Sequence, residues 1–235
     1  MQQIEILHQD CFEFLATVED ESVDLILVDP PYEISRETGF EAVVNGVDRF
    51  KISMDFGEWD YAFEGLDMAV REFYRVLKKG GTAIIFYDLW KITFLAQMLE
   101  KSRFRQLRFL EWIKTNPVPL NSKVNYLTNG REIAISAIKG NKPTFHSEYD
   151  NGIYEYPIYQ GKDRCHPTQK PVRLFEALIE KHSNRGDLVL DCFLGSGTTA
   201  LACRNTGRRF VGCEVSPEYY RKALDRISGQ TTQEV

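Results

Sequence analysis

The stretch from residue 188 to residue 227 most constrains what this chain can fold into. Leu188–Cys192 is a short apolar run too brief for a helix, Thr198–Asn205 has helical spacing, Phe210–Glu214 is a second short run, and Pro217–Ile227 is helical again. Strands alternating with helices at such short intervals require crossover connections, and those place neighbouring strands parallel in a sheet covered on both faces. The same alternation runs through the first hundred residues. Ile4–Leu7 and Val23–Val28 are strand candidates with a short helix at Cys11–Val18 between them, and a helical pattern over residues 61–79 stops at Gly80-Gly81 before a buried strand at Thr82–Tyr87. After a helix at Trp90–Lys101, the runs Phe104–Ile113 and Glu132–Ile138 follow without a helix between them, which fits an antiparallel pair, and Val172–His182 is helical. The expectation is an α/β fold: a doubly wound, mostly parallel, seven-stranded sheet with an antiparallel edge strand, in one domain over residues 1–235. Two connections exceed what such a fold needs, residues 33–60 and residues 140–165.

In open parallel sheets, ligands bind at the carboxyl ends of the strands. Two motifs fall there. Asp191-Cys192-Phe193-Leu194-Gly195-Ser196-Gly197-Thr198-Thr199 leaves a strand and opens a helix, and the acidic Glu214 ends the next strand nineteen residues beyond Gly195. A glycine turn brings backbone close to a ligand, and a carboxylate at that spacing can accept from both hydroxyls of a ribose. An adenosine-containing cofactor follows, although Ala200 at the third glycine position leaves a nicotinamide dinucleotide open.

The second motif, Asp29-Pro30-Pro31-Tyr32, leaves the strand Val23–Val28. The two prolines stiffen the turn and remove two backbone donors, which leaves the Pro30 carbonyl and the Asp29 carboxylate as fixed acceptors. Two acceptors suit an exocyclic amino group, because bonding both hydrogens directs the nitrogen lone pair toward an electrophile. Tyr32 can stack on the ring. A base in a duplex must be extruded to reach such a pocket.

With both motifs in place, the sequence resembles the DNA amino-methyltransferases. Asp29-Pro30-Pro31-Tyr32 matches their catalytic motif and Phe193-Leu194-Gly195-Ser196-Gly197 their cofactor loop. The catalytic motif comes first and His166-Pro167-Thr168-Gln169-Lys170-Pro171 leads into the loop, the order of the β class that includes type II restriction-modification adenine methylases. The resemblance implies a Rossmann-like class I fold using S-adenosyl-L-methionine, and it implies that the first strand pairs beside the last. It places Asp191, Phe193, Gly195, Ser196, Gly197 and Thr198 around the methionine part of the cofactor, with Asp29 and Cys11 close by. Glu214 would take the ribose, Asp10 the adenine amino group, and Thr168 and Lys170 would close over the cofactor. It puts target recognition at about residues 140–165 and a DNA-contacting loop at about 33–60. The partners it implies are double-stranded DNA, a second copy of the chain and a cognate restriction endonuclease.

Charge is consistent with a DNA substrate despite a net charge of −5. Residues 101–185 carry 15 basic and 8 acidic side chains, whereas residues 1–100 carry 8 and 20. Lys142, Lys162, Arg164 and Arg173 in the basic part, and Arg36, Arg49 and Lys51 in the earlier loop, are the candidate DNA contacts, with Tyr154, Tyr156 and Tyr159 as packing or stacking candidates. Methylation at a ring carbon would require a cysteine nucleophile, commonly after a proline, and the chain has no Pro-Cys pair. Within the resembled family, Asp in the first motif position mostly accompanies N6-adenine and Ser mostly N4-cytosine, so adenine is favoured, with N4-cytosine and a noncatalytic DNA-binding subunit as alternatives. The five cysteines contain no C-x-x-C pair, so neither a disulfide framework nor a metal site is expected. No apolar stretch nears the roughly 18 residues of a membrane span, and a cytoplasmic protein is expected.

Overall fold

A computed structural model of the chain describes residues 3–31, 40–44, 47–52, 65–118, 128–161 and 169–229. Ten strands and six helices lie among them, in the order β1 (Ile4–His8), α1 (Cys11–Thr17), β2 (Val23–Val28), β3 (Phe40–Val44), β4 (Val47–Ile52), α2 (Leu66–Val76), β5 (Leu77–Tyr87), α3 (Ile92–Lys101), β6 (Arg105–Lys114), β7 (Arg131–Ile138), β8 (Ile153–Tyr156), α4 (Val172–His182), β9 (Leu188–Asp191), α5 (Thr198–Thr206), β10 (Arg209–Glu214) and α6 (Pro217–Ser228). Eight strands form one sheet in the order β1-β10-β9-β2-β5-β7-β6-β8, and β3 and β4 form a separate antiparallel ribbon within the long connection after β2.

The sheet is doubly wound because the strand residues alternate between two apolar layers. In β2, Ile26 and Val28 face a core shared with Phe14 and Leu15 of α1, Val70 and Phe73 of α2, and Leu95 and Leu99 of α3. Leu25 and Leu27 face the opposite core with Leu174 and Leu178 of α4, Ala200 and Cys203 of α5, and Ala223 of α6. Period-2 alternation with both faces apolar is what a parallel strand covered by helices on each side requires. The first strand pairs in parallel with β10, Ile4 opposite Phe210 and His8 opposite Glu214, as the resemblance implied.

Three expectations change. The sheet has eight strands rather than seven, because Ile153–Tyr156, inside a stretch expected to be irregular, pairs in parallel with β6. Tyr154 of this strand is buried and Trp112 Nε1 donates to the Tyr156 carbonyl at 2.8 Å. The antiparallel strand is also not at the edge: β7 lies between β5 and β6 and runs against both. Third, Gly80-Gly81 does not follow the helix as a stop. The helix α2 ends at Val76 and β5 begins at once, with the two glycines inside a register shift in which Val23 opposes Leu77 but Leu25 opposes Thr82. Gly80 sits at φ 89°, and a Cβ there would lie 2.6 Å from the Lys142 carbonyl, so the bulge needs glycine.

Candidate active site

Strand direction decides which residues meet. The parallel strands β1, β10, β9, β2 and β5 bring their carboxyl ends to one edge of the sheet, so that edge gathers Asp10, Glu214, Asp191 and Asp29. β7 runs the other way, and therefore delivers its first residues to the same edge: Ile133 opposes Tyr87 and Glu132 opposes Trp112.

At the centre of that edge is a chain of alternating charges. Lys170, almost fully buried just before α4, donates from Nζ to Asp29 Oδ2 and lies 3.1 Å from Glu132 Oε2. Glu132 Oε1 is 2.7 Å from Lys114 Nζ, which arrives from the end of β6. The Lys170 ammonium also stands 5.3 Å from the centre of the Phe86 ring, and Lys114 5.2 Å from that of Trp112. Burial pushes the Asp29 carboxyl above its ordinary range; Lys170 works against that shift and Glu132 adds to it. Burial also penalises the Glu132 charge, but Lys170 and Lys114 outweigh it and hold that carboxyl below the ordinary value. The second Asp29 oxygen, Oδ1, is buried and has no hydrogen-bond partner among the described residues. A buried acceptor left open in this way costs free energy unless a ligand supplies the donor. Pro30 is buried and Pro31 half-buried behind it.

Beside this centre, the turn after β9 is tied down from three directions. The Phe193 N–H donates to Asp191 Oδ1 at 2.9 Å, and Thr199 Oγ1 donates to Asp191 Oδ2 at 2.5 Å. Burial raises the Asp191 carboxyl to about 7, a shift those two donors oppose. The Gly195 N–H donates to Glu214 Oε2 at 2.7 Å and the Ser216 N–H to Glu214 Oε1 at 2.8 Å, so one carboxylate joins the turn to the end of β10. From α6, Arg226 Nη1 donates to the Ser196 carbonyl at 2.9 Å and to Thr198 Oγ1 at 3.1 Å. Thr198 Oγ1 in turn lies 3.1 Å from Ser196 Oγ and 3.4 Å from the Lys170 carbonyl, which links the turn to the charge chain. Gly197 adopts φ 78°, and its Cβ position would meet Ala223 at 3.1 Å.

Asp10 accepts from the Phe12 and Glu13 N–H groups through Oδ1 and so caps α1. Cys11 is buried, and its thiol is pushed up to about 12 by burial and by the Asp10 charge, which leaves it inert. The other described cysteines, Cys192, Cys203 and Cys213, are buried, each thiol raised by burial, so none of them is an available nucleophile.

The structure thus brings together Asp10, Cys11, Asp29, Pro30, Pro31, Lys170, Asp191, Phe193, Gly195, Ser196, Gly197, Thr198 and Glu214. Lys170, expected to close over the cofactor, bonds Asp29. Arg173, the second residue of α4, is exposed on the same edge. Lys142 is not there: it follows β7 at the opposite end of the sheet, where its carbonyl approaches Gly80. The length of β7, about 3.3 Å per residue, separates it from Asp29. Tyr154 is likewise a core residue, with Lys181 Nζ 4.4 Å from its ring centre, and is not available for stacking. Tyr32, Arg36, Lys162, Arg164 and Thr168 lie outside the described residues, as do the side chains of Arg49 and Lys51. Sequence reasoning missed Glu132, Lys114 and Arg226. A charged residue in a half-buried strand or an amphipathic helix carries no local signal of its partner; only the reversal of β7 could have pointed to Glu132. No group of residues suited to a metal ion occurs among the described residues, and none of the described helices is long and apolar enough to cross a membrane.

Comparison with known proteins gives a consistent result. The sequence model of a DNA methylase family matches residues 23–225. The type II methyltransferase M2.DpnII of Streptococcus pneumoniae is 32% identical, over 96% of this chain and 90% of its own length. The type II methyltransferase M.HinfI of Haemophilus influenzae is also 32% identical, over 94% of this chain and 67% of its own. Among solved structures, the M1.HpyAVI complex with S-adenosylmethionine superposes with a TM-score of 0.74 at 28% identity, covering 96% of this chain and 99% of that one. The PvuII cytosine-N4 DNA methyltransferase, 17% identical, shares the fold with a TM-score of 0.75 over 96% of this chain and 86% of its own.

Proposed function

The chain belongs to the DNA methylase family, and on that premise we propose that it methylates the exocyclic N6 amino group of an adenine extruded from duplex DNA at a specific sequence. It is an S-adenosylmethionine-dependent DNA methyltransferase with a class I, Rossmann-like fold. The observation that carries the amino-group reading is Asp29 Oδ1, buried and without a hydrogen-bond partner among the described residues, at the edge where the cofactor turn also opens. An acceptor-only carboxylate oxygen suits an amino donor, and with the Pro30 carbonyl it would engage both hydrogens of an NH2 group.

The residues fit the cofactor. Asp10, Asp29, Asp191 and Glu214 stand at four strand ends of one edge, an acidic surround suited to a nucleoside that bears a sulfonium cation. Bound there, S-adenosylmethionine supplies an electrophilic methyl group. In our reading Glu214 and Asp10 hold its nucleoside, Phe193, Gly195, Ser196, Gly197 and Thr198 wrap its methionine part, and Thr168 lies over it. Asp29 orients the target amine, and Tyr32 stacks on the base. Burial of both acceptors excludes water that would compete for the amine, so the geometry is preorganised rather than assembled during reaction. Arg173 on the same edge, with Arg36, Arg49, Lys51, Lys162 and Arg164, is proposed to meet phosphates or bases. Recognition is assigned to the segment before Lys170, over about residues 140–165, and the 33–60 connection to a DNA-contacting loop.

Because its relatives are named type II methyltransferases, we place the chain in a restriction-modification pair with a cognate endonuclease, acting in the cytoplasm as one methyltransferase unit over residues 1–235. A dimer would enlarge the DNA contact that this short chain offers; mass in solution with and without DNA decides it. Transfer of labelled methyl to duplex DNA, followed by nucleoside mass spectrometry, tests the central reading. N6-methyladenine is the expected product; N4-methylcytosine would replace adenine with the alternative base, and no label on any duplex would remove the enzymatic role.

A further inference from the structure

The alternating chain Asp29, Lys170, Glu132, Lys114 contains more charge than an amine-orienting site requires. One carboxylate would suffice to accept from the substrate, and Asp29 keeps Oδ1 open for that purpose while Lys170 engages Oδ2. Here one lysine is shared. Lys170 bonds Asp29 on one side and lies 3.1 Å from Glu132 on the other, while Lys114 pairs with the far oxygen of Glu132 at 2.7 Å.

This arrangement addresses a specific problem in the reaction. When the amino nitrogen takes a methyl group it forms an N–C bond, the sulfonium S–C bond breaks, and one N–H proton must leave. The nearest base is Asp29. If Asp29 were the sole partner of Lys170, its protonation would leave a buried ammonium without a counter-ion, which is strongly unfavourable. We infer that Glu132 and Lys114 are positioning residues that let Asp29 turn over: Glu132 shares Lys170, so the lysine keeps an anionic partner while Asp29 accepts the amine's proton, and Lys114 keeps Glu132 ionised. The proton then passes from Asp29 to water as product leaves. The inference rests on the amino-methyltransferase reading above.

The groups facing Asp29 come from every element around it: Lys170 from the segment before α4, Glu132 from β7, Lys114 from β6 and Asp191 from the end of β9. Their signs give a signature that a bracing role would not. Glu132 disfavours the Asp29 charge and Lys114 favours it. Glu132→Gln removes the second carboxylate beside Lys170 and should lower the pH at which Asp29 titrates; Lys114→Gln should raise it.

The test is an infrared titration of the cofactor-free protein, following the protonated-carboxyl band that Asp29→Asn removes, together with kcat against pH for methyl transfer to DNA. The expected result is a midpoint displaced by roughly one pH unit in opposite directions in the two variants. The acid limb of kcat should follow the same directions, and kcat in Glu132→Gln should fall by about 10- to 100-fold with a smaller change in KM for DNA. Glu132→Asp, which keeps the charge, should restore part of the loss. A midpoint that stays put, or moves the same way in both variants, overturns the inference. Should Glu132→Gln fail to fold, Lys114→Gln and Glu132→Asp still carry the prediction. The infrared arm needs no methyl transfer, so an inactive wild type would count against the proposed function and leave this inference to its own readout.

Discussion

Arg226, near the end of α6, donates to the backbone carbonyl of Ser196, thirty residues earlier in the chain, at 2.9 Å. It is a polar link by which the last helix holds the cofactor turn, since the same nitrogen reaches Thr198 Oγ1 at 3.1 Å. A charged donor to backbone contributes about 1.5–3 kcal/mol, discounted here because the guanidinium is only half-buried. Arg226→Met, which keeps the aliphatic stem, should raise the Kd for S-adenosylmethionine about tenfold while leaving kcat at saturating cofactor within about twofold. Isothermal titration and steady-state kinetics read the two effects separately, and an unchanged Kd would remove the anchoring role.

Gly197 in the same turn offers a sharper test of backbone geometry. At φ 78° an L side chain is strained, and the added Cβ would press on Ala223 at 3.1 Å. Gly197→Ala should cost about 1–2 kcal/mol of stability from the left-handed conformation alone, with a further loss of cofactor affinity as α5 shifts from α6. Pairing it with Ala223→Gly separates the contributions: relief of the contact should recover affinity, whereas the conformational cost should persist in thermal melts.

Asp29→Ala removes the open acceptor and the partner of Lys170 together. Turnover should fall by about 10²–10³-fold or more, while affinity for the cofactor changes little. Asp29→Asn, which keeps one carbonyl acceptor but loses the charge, should fall between them. Activity in Asp29→Ala within tenfold of the parent would place the chemistry elsewhere.

Much of this site is legible in the chain because its parts are local. A strand that ends in Asp29-Pro30-Pro31, and a glycine turn between strand and helix followed by Glu214, announce both their chemistry and their place on the sheet. What escapes is what depends on strand direction and on distant pairs. Glu132 looks like one polar residue in an alternating strand, and only the antiparallel course of β7 brings it beside Lys170. Tyr154 looks equally like a packing or a stacking residue until β8 pairs with β6 and turns it into the core. Gly80-Gly81 is indistinguishable by composition from a helix stop, yet it serves a bulge in β5. In each case the deciding partner lies 38 or more residues away, beyond the reach of periodicity.

Two buried titrating groups with opposite displacements give the last prediction. Burial raises Asp191 from 3.8 to about 7 and lowers His182 from 6.5 to about 4. Folded-state preference for protonated Asp191 stabilises the protein fully below its unfolded value and is lost as pH rises through about 7. His182 is the reverse: its neutral form, buried against Phe145 with ring centres 5.0 Å apart, stabilises above pH 6.5 and loses that contribution as pH falls through about 4. Across the same window the two slopes oppose each other in the parent protein. Removing either should expose the other. Asp191→Asn, in the cofactor-free protein, should become progressively less stable than the parent on acidification from neutral pH, because the His182 slope is no longer offset. His182→Leu should show the opposite trend, its stability relative to the parent declining as pH rises from about 4 to 7, by about 1–3 kcal/mol over the interval. Chemical denaturation at several pH values measures both, and slopes of the same sign in the two variants would mean that these two groups do not govern the response.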